Sequence, residues 1–191
     1  MRVAVAAIVV LILEALSKPA LAQTSSTPYA GERTREIKAL SPEEIARYLE
    51  GHGMGFALAA ELNRHPGPKH VLELAKELGL DARQARKTQA IYDAMHARAV
   101  ALGRDLVAKE RELDRLFASG SVDAAGRART ASLAAAVREI ARLQGEIRLA
   151  HLAAHVETRA VLTPAQIAKY DELRGYGKSD APVEHDPSRH H

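Results

Sequence analysis

The chain has 191 residues, no cysteine, no tryptophan and only 4% aromatics, which excludes disulfides and thiol nucleophiles and favours long helices over a compact aromatic core. The net charge of +3 is concentrated in 82–118, with eight Lys/Arg against five Asp/Glu, and in 124–161, with six against three. Such basic stretches read either as a face for anionic partners or as ordinary solvated surface; with no stacking aromatics and no binding motif, nucleic acid is not an expected partner.

Residues 1–22 read as a secretory signal peptide. Arg2 supplies the positive start, "VAVAAIVVLIL" (3–13) the apolar run, and "ALA" (20–22) the small residues before a cleavage point at Gln23. The run is too short to span a bilayer, although Glu14 at its end leaves retention as an uncleaved anchor open. Residues 23–39 lack an apolar period and are expected to form a flexible arm, and 176–191, polar with two prolines, a disordered tail. Residues 40–175 between them read as one all-helical domain.

One local device recurs there. "LSPEEIARY" (40–48) and "LTPAQIAKY" (162–170) are nearly the same nonapeptide, and "LDARQARKT" (80–88) is a looser copy. Ser41, Asp81 and Thr163 are suited to cap a helix, and Glu44, Gln84 and Gln166 stand three residues later to reach back, the capping-box pattern. Helices are therefore expected over about 42–50, 55–63, 69–78, 82–118, 123–161 and 164–174, with "RHPGP" (64–68) as loop and "ASGSVD" (118–123) as a turn. Ile91, Met95, Leu102, Leu106, Leu113 and Phe117 form the apolar stripe of one long helix, and Leu133, Ile140, Leu143, Ile147 and Ala154 that of the other. A short connection makes the two an antiparallel hairpin. Its leftover apolar area, including Leu149, Leu152 and Val156, calls for burial in a symmetric homodimer or for a bound partner.

The leader, the missing cysteines, the hairpin and the paired helix starts resemble the Spy/CpxP family of periplasmic proteins, named for an LTxxQ motif, with CnrX- and ZraP-like metal-responsive relatives. Leu162, Thr163 and Gln166 match the motif fully, and Leu80, Asp81 and Gln84 match it with Asp in place of Thr, which preserves the cap. The likeness covers roughly 70–175 and leaves "GHGMGFALAAELNRHPGPKH" (51–70) outside. It implies a periplasmic, cradle-shaped, intertwined dimer without enzymatic activity. Its members hold unfolding proteins without ATP, restrain a stress-signalling kinase, or report metal.

His151 and His155 are an i,i+4 pair whose rings share one side of a helix and suit a single cation; the other reading makes them boundary residues bonded locally. Further ligands would come from His96 beside Met95, or from His52 and Met54 in "GHGMG". Methionine with histidine suits copper, histidine with carboxylate zinc, nickel or cobalt. "GHGMG" follows no strand and lacks a Lys-Ser/Thr sequel, so it reads as a turn and not a phosphate cradle. Leu152 stands where an HExxH protease needs glutamate, and no nucleophile motif is present, so no enzyme is expected. The leading expectation is a periplasmic, ATP-independent chaperone holding clients on Leu149, Leu152 and Val156 with Arg142 and Arg148. The alternative is a Zn, Cu, Ni or Co sensor signalling to a membrane-bound regulator.

Overall fold

A computed structural model describes residues 29–119 and 127–176. The leader, residues 23–28, the turn around Gly120 and the tail beyond Tyr176 lie outside the described residues. Among the described residues there are helices and turns but no strand. The α-helices are α1 (Pro42–Leu49), α2 (Leu58–Glu61), α3 (Pro68–Glu73), α4 (Ala82–Ala118), α5 (Arg127–Val161) and α6 (Pro164–Leu173). None of them is long and apolar enough to cross a membrane.

All three expected capping boxes form, at α1, α4 and α6. At α1 the Glu44 N–H donates to Ser41 Oγ at 3.1 Å, and the Ser41 N–H donates to the Glu44 carboxylate at 2.8 Å. Each box satisfies two N–H groups that the first helical turn leaves unpaired, contributing about 1 kcal/mol. Gly175 (φ 76°) then turns the chain out of α6 in the left-handed conformation.

Four expectations change. The helix expected over 55–63 shrinks to Leu58–Glu61, with turns before it, because the glycine-rich stretch ahead supplies no capping side chain. "RHPGP" ends one residue early: Pro68 opens α3, where a proline's fixed φ fits and its missing N–H would have had no partner. That helix stops at Glu73, and 74–80 continues as turns closed by Leu78 N–H to Leu74 O and Leu80 N–H to Ala75 O. The described part of the supposed flexible arm is anchored. Ile37 is fully buried with Leu40 against Val107 of α4, and Asp114 accepts from the Lys38 N–H at 3.1 Å. One isoleucine and one leucine suffice to dock a short segment on a preformed helix, a signal too brief for periodicity to reveal.

α4 and α5 run antiparallel, with Leu102 and Leu106 packed on Ile140, Leu143 and Ile147, each of which contributes about 1.5–3 kcal/mol on burial. Phe117, expected in this stripe, is 55% exposed near the distal end of α4. At the other end Val71, Leu78, Leu162, Ile167 and Tyr170 form a second core beneath α3 and α6. α1 crosses α4 at Gly103, where a Cβ would overlap the carbonyl oxygen of Tyr48, and Tyr48 packs against both the seam and the Ile37 cluster. Only glycine lets the two backbones approach so closely. Gly103→Ala is therefore expected to cost about 3 kcal/mol, read as a lowered midpoint in chemical denaturation; an unchanged midpoint would mean α1 can lift off without penalty.

Candidate functional site

The hairpin brings the N-terminal half of α4 beside the C-terminal half of α5, and the 50–57 turns close over the two. All six residues proposed as metal donors, His52, Met54, Met95, His96, His151 and His155, line one cavity of about 460 Å³. The i,i+4 spacing on α5 places both His151 and His155 among the lining residues.

His151 is 95% buried, its ring stacked on Phe56 (centroids 6.1 Å apart) and its Cε1–Nδ1 edge against Gly53. Its Nε2 is buried without a hydrogen-bond partner. Thr88 Oγ1 is the other such atom among the described residues, and it does not line the cavity. Burial, reinforced by nearby His155 and His96, pushes the His151 imidazole down to about 4, so it is neutral at physiological pH with a lone pair on one ring nitrogen.

His155 donates from Nδ1 to the His65 carbonyl at 2.7 Å, which leaves Nε2 as the acceptor nitrogen. That Nε2–Cε1 edge rests on Gly67, where a Cβ would come within 2.8 Å, so the glycine makes room for the ring. Burial lowers the His155 pKa as well, although its bond to His65 and the carboxylate of Glu61 oppose the shift. His96 donates from Nε2 to the Glu50 carbonyl at 3.0 Å and stacks on Tyr92. His52 is exposed and pairs with the Glu50 carboxylate at 3.2 Å. Met54 lies in the left-handed region (φ 44°), a strained conformation for a long side chain, between Gly53 and Gly55.

Glu61 escaped sequence reasoning. It is 6% exposed, and its carboxylate accepts from Tyr170 Oη at 2.6 Å, Tyr176 Oη at 2.9 Å and the Gly67 N–H at 3.2 Å, with Arg174 Nε at 3.5 Å and His155 Nδ1 at 3.6 Å. Burial and this carboxylate drive the Tyr170 hydroxyl far above its ordinary range, so it stays a donor. A glutamate in a four-residue helix carries no pattern that marks it, and its partners lie as far as 115 residues away.

The donor set fits a soft or borderline metal better than a hard one. Five histidines and two methionines line the cavity, while of its two glutamates Glu61 is already saturated and Glu50 pairs with His52. Among the described residues no three His, Asp or Glu side chains converge closely enough to hold a metal ion. Within "GHGMG" the Gly51 and His52 N–H groups are spent on the Tyr48 and Arg47 carbonyls.

The expected client residues lie elsewhere on α5. Leu149 and Val156 are 59% and 58% exposed, Leu152 is half-buried, Arg148 is exposed, and Arg142 sits on the Glu139 carboxylate at 2.8 Å. The paired motifs do more than cap. Gln84 and Gln166 donate to each other's amide oxygens at 2.8 and 3.0 Å, and Gln84 Nε2 also reaches the Val161 carbonyl at 3.0 Å.

The profile of the family described as "LTXXQ motif family protein" matches residues 67–174, more than half of the chain. No curated protein and no solved structure matches it.

The burial of His151 has a pH signature. A histidine held below its ordinary 6.5 leaves stability intact above that pH and drains it as pH falls toward 4. The loss is expected to reach roughly 3 kcal/mol by pH 4. Thermal melts across this range should show it, and His151→Gln should flatten the slope; an unchanged slope would mean that the ring is not protected from protonation.

Proposed function

The chain belongs to the LTXXQ motif family, and on that premise we propose that it is an exported, non-enzymatic metal-binding protein of the periplasm. The leader sequence supports export. The observation that carries the metal reading is the buried His151, which has an unpartnered ring nitrogen and lines a cavity together with six further histidines and methionines. A dry, neutral imidazole nitrogen is costly to leave unbonded, and a metal ion would relieve it. His155 would join it through Nε2, its ring orientation held by the His65 carbonyl in the way outer partners fix ligating histidines. The bound ion would supply a cross-link between α5, α4 and the 50–57 turns, making occupancy a structural signal to a membrane-bound regulator or a second copy.

Calorimetric titration with Zn²⁺, Ni²⁺, Co²⁺ and copper is the test. One metal should bind, raising the melting temperature, and His151→Ala with His155→Ala should weaken it by at least about tenfold. Binding that ignores the double substitution would place the metal elsewhere and sink this reading.

A second reading is favoured by a separate surface. Leu149, Leu152 and Val156 follow i, i+3, i+7 spacing on one face of α5, with Arg142 and Arg148 beside them. Such a mixed face holds unfolded chains weakly, charge attracting first and apolar contact retaining, and it is also where a second copy would pack in a homodimer. Suppression of light scattering by a denatured substrate at low salt should fall severalfold in Leu149→Glu with Val156→Glu and persist in His151→Ala. The reverse pattern would remove the chaperone reading.

A further inference from the structure

The cavity contains an unusual pairing of features for a site serving zinc, nickel or cobalt. Of its two carboxylates, Glu61 is committed to two tyrosine hydroxyls, a backbone N–H and Arg174, and Glu50 is paired with His52. Met54 and Met95 bring soft sulfur instead, from two different elements. Thioethers bind weakly to zinc, nickel and cobalt but select Cu(I), which also accepts fewer ligands than those divalent ions.

The backbone at Met54 points the same way. Glycine or asparagine would hold φ 44° at less cost than methionine does. The half-buried side chain nonetheless lines the cavity. Met54 therefore carries backbone strain while lining the same cavity as His151, whose Nε2 has no partner.

We infer that this cavity is a Cu(I) site, in which the sulfurs of Met54 and Met95 complete a donor set begun by the imidazoles of His151 and His155. The inference rests on the metal-binding reading above and narrows it to one ion. Cu(I) enters and leaves as Cu(I), so no electron is transferred and no oxidant is required.

The purified protein is titrated with Cu(I) under anaerobic, reducing conditions against a chromogenic Cu(I) chelator, and separately with Zn²⁺ and Ni²⁺. Cu(I) should bind at one per chain and more tightly than either divalent ion. Met95→Leu, which keeps the volume, and Met54→Gly should each weaken Cu(I) by at least about tenfold, leaving any weak Zn²⁺ binding unchanged. Met54→Gly should melt no lower than the parent, because it releases the backbone. Sulfur scattering at the copper edge in X-ray absorption should disappear when both methionines are replaced.

Cu(I) affinity indifferent to both substitutions overturns the inference. A lower melting temperature for Met54→Gly makes that residue a packing element and overturns its assignment as a ligand. Zn²⁺ or Ni²⁺ held through His151 without Cu(I) overturns the copper site while the metal-binding reading stands. If no ion binds, both fall together.

Discussion

Two glutamine amides hold the architecture in register. Gln84 and Gln166 each close their own capping box and then bond to one another, while Gln84 also ties the start of α4 to the last carbonyl of α5. Fixing that end of the hairpin fixes the rest by helical rise. Met95 and His96 lie eleven and twelve residues along α4 from Gln84, and His151 lies ten back from Val161 on α5. At 1.5 Å per residue both distances come to about 15–18 Å, so the donors of the two helices stand at the same level. A slip of the amide pair by one turn would separate them.

The same end of the molecule carries a second clamp. Glu61 gathers the N–H of Gly67, the hydroxyls of Tyr170 and Tyr176 and the guanidinium of Arg174, joining α2, the chain before α3 and the chain around α6. Fully satisfied buried networks of this kind specify one arrangement, since any partial alternative strands a charge. The contrast with His151 is informative. A structure that surrounds one buried carboxylate with five partners leaves a nearby imidazole nitrogen with none, and the two line the same cavity. Among the described residues Thr88 Oγ1 shares that state, but Thr88 does not line the cavity.

How much of this was legible beforehand follows from the range over which each interaction acts. Helix starts were readable because Ser41, Asp81 and Thr163 bond to groups two or three residues away, and α4 runs over the stretch expected of it. The facing of His151 toward the hairpin was readable from its position on the stripe of Ile140 and Ile147. By contrast, the Gln84–Gln166 pair spans 82 residues and Glu61–Tyr170 spans 109, and no local pattern encodes either. Ile37 was lost for a related reason: a lone anchor has no period. Pro68 was misread because proline signals both the end of a loop and the first turn of a helix, and only the following residues decide which.

The division of the cavity between the matched span and the segment that precedes it gives these observations one direction. The matched span, 67–174, contributes Met95, His96, His151 and His155, which sit on the two long helices that the amide pair aligns. His52, Met54 and Glu61, together with the His65 carbonyl that orients His155, all precede it. A hairpin alone would present His151 and His155 on an open groove, wet and weakly ordered. The 50–67 segment encloses them: Phe56 covers one imidazole, Gly67 seats the other, and the strained turn at Met54 lines the same cavity. Enclosure is what keeps His151 a neutral, dry imidazole, because the fall in its pKa is chiefly desolvation. The shared helical core therefore acts as the platform, and the chemistry of the site is set by the short glycine- and proline-rich stretch laid across it.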